Sequence, residues 1–181
     1  MKEIQMGIAC GYNSELYVNF LLETVRRTVN NINKFQIILG QSKPEVDVNH
    51  LAENNADFDI KIIQAFSKDS GSLGHGKCID ALLENMDSEY GMIVDCDIAF
   101  LEKNWDVKLI ECLQHKKVVI GAGTSRNHHH YYNFPFTIMA LFKTKPLKET
   151  KVSFMPRLEH IILTEENAKI FGRSPGDRIY L

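Results

Sequence analysis

The sequence carries no excess of positive charge: 21 Lys and Arg stand against 23 Asp and Glu, a formal net charge of −2, and no Lys/Arg run stands out. Binding to nucleic acid through phosphate neutralisation therefore has little support. No stretch approaches the roughly 18 apolar residues of a membrane span, and the opening Met1-Lys2-Glu3-Ile4-Gln5-Met6 lacks a signal-peptide core, so a soluble, cytoplasmic protein is expected. The four cysteines, Cys10, Cys78, Cys96 and Cys112, make no Cys-x-x-Cys pair and sit among apolar neighbours, which fits reduced core residues better than structural zinc or disulfides. Repeats, low-complexity tracts and Pro/Gly/Ser linkers are missing, so no firm domain boundary is placed within the 181 residues. No Gly-x-Gly-x-x-Gly follows the first apolar run, which argues against a dinucleotide-binding dehydrogenase.

What is present describes an ordinary globular chain, 44% hydrophobic and 24% charged, long enough to bury a core unaided. Ile4 to Cys10 is a short apolar run stopped by Gly11, the pattern of a buried strand. Val18, Leu21, Leu22, Val25 and Val29 recur at helical spacing from Ser14 to about Asn31, with Asn13 or Ser14 available as N-cap. Phe35 to Leu39 predicts a second strand, and Ser42-Lys43-Pro44 opens a weakly patterned helix through Asn55. Ile60 to Ala65 predicts a third, followed by a Gly-rich loop over Asp69 to Gly76 and a helix whose buried face is Cys78, Ile79, Leu82, Leu83 and Met86. Met92-Ile93-Val94 predicts a fourth strand running into Asp95-Cys96-Asp97; Trp105 to Leu113 is helical, and Val118 to Ile120 and Thr137 to Phe142 are further strands. After Pro146 only a helix from Glu165 to Phe171, capped by Thr164, is signalled. Alternating strands and helices predict an α/β fold, an open and mostly parallel twisted sheet with helices on both faces.

In such a sheet ligands bind outside the carboxyl ends of the strands. Gly11-Tyr12-Asn13, Ser42, the Gly-rich loop before Lys77, and Asp95-Cys96-Asp97 all converge on that edge. Alternation along an extended segment puts Asp95 and Asp97 on one side with Cys96 turned away, and two carboxylates suit Mg²⁺ or Mn²⁺ bridging to a diphosphate. Lys77 is placed to reach a phosphate, although a lysine at a helix start also serves simply as solvated surface. In the run His128-His129-His130 the first and last share a face if extended, so His130 is a candidate metal ligand, with packing beside Tyr131 and Tyr132 as the alternative.

Two segments carry a more specific signal. Gly74-His75-Gly76-Lys77-Cys78-Ile79-Asp80-Ala81-Leu82, continuing to Glu89-Tyr90-Gly91-Met92-Ile93-Val94-Asp95-Cys96-Asp97, resembles the centre of the inverting GT-A glycosyltransferases of the large family-two group. Ile8-Ala9-Cys10-Gly11-Tyr12-Asn13 is similar to their first strand and its Tyr-Asn turn. The resemblance spans roughly residues 4 to 143. It implies a metal-dependent transfer of a sugar from a nucleotide-diphosphate donor to a glycan, lipid or protein acceptor. It also implies that Asp95 contacts the ribose and shares in metal binding, that Asp97 ligates Mn²⁺ or Mg²⁺, and that Ala9, Cys10, Tyr12, Asn13, Ser42 and Lys77 line the nucleotide-sugar pocket. A third ligand from beyond the sheet centre, here His130, fits related folds. One domain over 1–181 is expected, with a nucleotide-binding half at 1–100 and a partial acceptor-side half at 101–181, as in a short or truncated member.

Two departures stand beside the likeness. Where the family usually carries Asp-Asp-Gly-Ser after strand two, this chain has Gly40-Gln41-Ser42, which keeps the serine and loses the aspartate that reads the base. Inversion needs a base to deprotonate the acceptor hydroxyl, and no clean Glu-Asp motif supplies it; among Glu159, Glu165, Glu166 and Asp177, the segment Gly176-Asp177-Arg178 is nearest, so Asp177 is the candidate. A non-catalytic nucleotide-sugar-binding module is the alternative. A nucleotidyltransferase is disfavoured because Gly11-Tyr12-Asn13-Ser14-Glu15 has neither Lys nor Arg.

Overall fold

The computed structural model describes residues 2–69, 71–114, 117–122, 136–155, 160–162 and 178–180. Strands Ile4–Cys10 (β1), Phe35–Gln41 (β2), Asp59–Gln64 (β3), Tyr90–Val94 (β4), Val119–Ala122 (β5) and Phe136–Lys143 (β6) form one sheet in the order β3-β2-β1-β4-β6-β5. β3, β2, β1 and β4 run parallel, while β6 is antiparallel to both β4 and β5. Helices Glu15–Thr28 (α1), Val48–Asn54 (α2), Gly71–Glu84 (α3), Trp105–Gln114 (α4) and Thr144–Glu149 (α5) connect them, and His160–Ile162 (β7) pairs antiparallel with Arg178–Tyr180 (β8) in a separate ribbon.

The two-residue period of the strands sorts their side chains onto two faces. Met6 and Ile8, Ile37 and Leu39, and Met92 and Val94 join Leu21 and Val25 of α1, Leu51 of α2 and Trp105 of α4 in one core. Ile38 and Ile93 join Cys78, Ile79 and Leu82 of α3 and Leu147 of α5 in the other. Each fully buried Leu, Ile or Val is worth about 1.5–3 kcal/mol relative to leaving it in water, so these two layers supply the main stabilisation.

Two expected element boundaries move, and one helix forms that the sequence pattern did not signal. The helix anticipated from Ser42 starts only at Val48, because Asp47 caps it by accepting from the amides of Asn49 and His50. The anticipated Gly-rich loop is helical from Gly71, so Gly74, His75, Gly76 and Lys77 belong to α3. Glycine is needed there for space: a Cβ on Gly74 would lie 2.6 Å from the Asp69 carbonyl oxygen, and one on Gly76 would lie 2.6 Å from that of Phe154. The unsignalled helix is α5, which forms across Pro146; in the first turn the missing N–H would have no intrahelical partner anyway. The helix expected at Glu165 to Phe171 lies outside the described residues.

Candidate functional site

Parallel register brings the carboxyl ends of β1, β2 and β4 to one edge: Ile8 pairs with Val94, and Cys10 with Gln41. Tyr12, Ser42 and Asp95, which directly follow these strands, therefore share that edge. The chain turns sharply after β1, with Asn13 in the left-handed region at φ 58°, a conformation asparagine tolerates better than most residues. Ser14 occupies the N-cap position of α1, yet its hydroxyl donates to the Gly11 carbonyl at 2.8 Å instead of capping the helix. The Ser42 hydroxyl donates to the Cys10 carbonyl at 2.8 Å, and the Ser42 amide donates to the same oxygen at 3.1 Å. Ser42 thus ties the first two loops together and keeps only acceptor capacity for a ligand.

Gln41 is committed locally as well, since its side-chain amide donates to the carbonyls of Val46 at 2.7 Å and Pro44 at 3.3 Å. Gly40 faces away from the edge: a Cβ there would meet Cys78 Sγ at 2.7 Å, inside the α3 layer. Gly40 has no side chain to read a base, and Gln41, with its amide N–H groups spent on the two carbonyls, offers a base only its side-chain oxygen.

Asp95 extends the β4 ladder by one bond, its amide donating to the Ile138 carbonyl at 2.9 Å. Strand geometry then ends, and Cys96 and Asp97 lie in a turn, so the expected strand alternation does not continue to Asp97. Cys96 does pack inward against the α1-side core. Burial, reinforced by the charges of Asp97 and Asp95, pushes its thiol up, which keeps it protonated and a poor metal ligand at neutral pH. The segment after the turn is anchored to α1: the Phe100 amide donates to Thr24 Oγ1, the Asn104 amide to the Thr28 carbonyl, and Trp105 Nε1 to Thr28 Oγ1. Phe100 stacks on Trp105 with ring centroids 3.8 Å apart. The acidic turn is therefore held from the β6 side and from the α1 side at once.

The Asp95 carboxylate is unusual. Its Oδ1 is buried and accepts no hydrogen bond, yet His75 Nε2 of α3 lies 3.2 Å from it. His75 was not singled out as a site residue in the sequence; the flanking glycines, which let α3 open close against the 69 and 154 loops, were the signal available. Asp97 is exposed in the turn. Among the described residues no group of three His, Cys, Asp or Glu side chains is arranged to hold a metal ion.

The remaining predicted residues divide. Tyr12 is exposed, with its hydroxyl donating to Glu45 at 3.1 Å, a bond that raises the phenol's pKa. Lys77 pairs with Asp69, whose carboxyl it lowers. The Lys43 ammonium fixes the same loop through the carbonyls of Ser67 and Asp69. Cys10 is fully buried, and desolvation raises its thiol strongly, so only its backbone reaches the edge; Ala9 packs against the α3 layer. His130 and Asp177 lie outside the described residues. A shallow hollow of about 410 Å³ lined by Asp87, Ser88, Thr144 and Lys148 sits at the opposite edge, before β4 begins, and contains none of the predicted residues.

No protein-family model matches the sequence, and no curated protein matches it. The likeness is structural. The mannosyltransferase PcManGT of Pyrobaculum calidifontis, solved with GDP-Man and Mn²⁺, superposes with a TM-score of 0.62 at 14% identity, covering 82% of this chain and 46% of that one. Residues 1–349 of S. aureus TarS, solved with UDP, give 0.62 at 18%, covering 84% and 50%. The 4-diphosphocytidyl-2C-methyl-D-erythritol synthase of Anaerococcus prevotii gives 0.57 at 18%, covering 96% and 84%. This chain spans about half the length of the first two. It has the fold of the GT-A-like nucleotide-sugar transferases.

Proposed function

We propose that the chain binds a nucleotide-diphosphate sugar at the carboxyl edge of β1, β2 and β4 and transfers the sugar, with inversion, to an acceptor hydroxyl. The observation that carries this is the Asp95 carboxylate, placed at the ligand edge of a GT-A-like sheet with a buried oxygen that no donor satisfies. A buried acceptor without a partner costs about 1–3 kcal/mol, more when charged. A cation supplies what that oxygen lacks, so the residues present fit a divalent metal.

Asp95 and Asp97 would hold Mn²⁺ or Mg²⁺; when bound, the cation offsets charge on the departing diphosphate. The likeness to a mannosyltransferase solved with GDP-Man and Mn²⁺ supports that choice. Tyr12, Asn13 and the Ser42 oxygen line the nucleoside side of the edge. Lys77 sits in an exposed pair with Asp69 that contributes little to stability, so a dianionic phosphate competes for it effectively. In this scheme residues 1–100 bind the nucleotide and 101–181 form part of the acceptor side, with Asp177 as base and His130 as a further ligand. No helix among the described residues is long and apolar enough to cross a membrane, and we place the reaction in the cytoplasm.

Thermal melting with a panel of nucleotide-diphosphate sugars, with and without Mn²⁺, tests this, because a ligand at 100 times its Kd stabilises the folded state by about 2.7 kcal/mol. A metal-dependent rise in Tm for at least one sugar donor is expected, followed by release of the nucleoside diphosphate when acceptors are added. No stabilisation by any donor would refute the proposal, and stabilisation without transfer would favour the non-catalytic module. Nucleotidyl transfer is a second reading, favoured by the near full-length overlap with the A. prevotii synthase and opposed by the cation-free loop after β1. Pyrophosphate release from a nucleoside triphosphate and a sugar phosphate would identify it.

A further inference from the structure

We propose that His75 is a direct ligand of the divalent cation, sharing it with Asp95. The pair lies 3.2 Å apart, Nε2 to Oδ1, without a hydrogen bond between the two atoms. Two neighbouring ligands of one octahedral ion, each about 2.0–2.2 Å from the metal, stand roughly 3 Å apart. The spacing therefore matches two lone pairs converging on a common cation.

The ring reaches that position because α3 is wedged there. Gly74 passes under the Asp69 carbonyl and Gly76 under that of Phe154, so neither neighbouring loop can be approached with a larger residue. Asp80, one turn further on, anchors the second of those loops by accepting from the Phe154 amide and the Ser153 hydroxyl, each at 2.6 Å. His75 itself is 40% exposed in its side chain, so its replacement removes little from the core. An imidazole ligand also makes a selectivity statement: Mg²⁺ takes oxygen donors almost alone, whereas Mn²⁺ accepts nitrogen more readily. The site would then prefer Mn²⁺ to Mg²⁺.

This assignment rests on the nucleotide-sugar reading only for the diphosphate that completes the metal shell. The test is electron paramagnetic resonance of Mn²⁺ added to the full chain, alone and with UDP or GDP, on His130→Ala, which removes the other imidazole assigned to the metal, and on the same chain carrying His75→Ala or His75→Gln, with folding checked by thermal melting. Spin-echo modulation from a directly coordinated ¹⁴N is expected in the His130→Ala parent and absent in both His75 variants made in it. Mn²⁺ affinity should fall roughly tenfold in His75→Ala, while Mg²⁺ affinity, measured by competition, changes less than twofold. Bound Mn²⁺ without nitrogen modulation, or modulation that survives in both variants, overturns the assignment. So does failure to bind Mn²⁺ at millimolar concentration with and without nucleotide. If no nucleotide binds under any condition while Mn²⁺ alone shows the His75-dependent nitrogen signal, the ligand assignment stands and the nucleotide-sugar reading falls.

Discussion

Gly40 is where packing and function are most easily confused, and Gly40→Ala separates them. An added Cβ would lie 2.7 Å from Cys78 Sγ and 3.2 and 3.3 Å from Cγ and Cδ2 of Leu82. All three atoms belong to fully buried side chains of α3, so little room exists for them to retreat. Replacing glycine by alanine lowers the entropy of the unfolded chain, a gain of about 0.4–1 kcal/mol. Overpacking a well-filled core costs about 1–3 kcal/mol. The clash wins, and a net destabilisation of about 1–2 kcal/mol is expected, or a fall in Tm of roughly 2–4 °C per kcal/mol at this chain length. Adding Cys78→Ala removes the 2.7 Å contact and leaves the 3.2 Å contact with Leu82 Cγ, so the double variant should be less destabilised than the sum of the singles, by about 1 kcal/mol. Urea unfolding followed by circular dichroism on the two singles and the double measures all of these terms. Gly40→Ala at or above wild-type stability, or additivity within about 0.3 kcal/mol, would refute the reasoning. The same geometry says that Gly40→Asp does not create a base reader: the carboxylate would enter the α3 layer.

Asp97→Ala should abolish divalent-dependent binding of a nucleoside diphosphate while leaving Tm within about 1 °C, since the residue is exposed in the turn; unchanged Mn²⁺-dependent affinity in the folded variant would count against it. Calorimetric titration of UDP, GDP, CDP and ADP with Mn²⁺ should show less than a hundredfold preference, about 2.7 kcal/mol, because Gln41 is committed to Val46 and Pro44; a larger preference for UDP would mean that another side chain reads the base. Arg26 bonds the Asp57 carboxyl and holds it below its usual range. A depressed folded-state pKa contributes stability that is present above the unfolded value near 3.9 and is lost as pH falls through the folded value. Asp57→Asn should therefore reduce the drop in unfolding free energy, measured with urea, between pH 6 and pH 2, by no more than about 1 kcal/mol because the pair is half exposed; an acid limb identical to wild type would remove Asp57 from the account.

Elements with a strong apolar period were legible before any coordinates. β1 spans Ile4–Cys10 as expected, and α1 follows the Val18, Leu21, Leu22 and Val25 stripe. Elements governed by a single contact were not. Glycine lowers helix propensity by about 1 kcal/mol relative to alanine, so the Asp69 to Gly76 stretch reads as a loop. Close approach of the 69 and 154 loops makes those glycines the residues that fit. Pro146 masked α5 in the same way.

The candidate site shows a similar division. Asp95 and Asp97 could be named from an Asp-x-Asp triplet ending a buried strand, because both facts are local in sequence. His75 could not be paired with Asp95, since 20 positions, taking in the rest of α3 and all of β4, separate them in the chain and only the packing of α3 against β4 closes the distance to 3.2 Å. Gln41 and Gly40 likewise looked like a lost recognition motif until the register of β2 turned one toward Cys78 and the Val46 carbonyl took up the other. Local periodicity and composition determine which segments bury and in what order they alternate, because those depend on hydrophobic pattern over a few residues. Which polar atoms face one another across elements is decided by tertiary packing, where displacements of an ångström separate a hydrogen bond, a metal ligand and a clash.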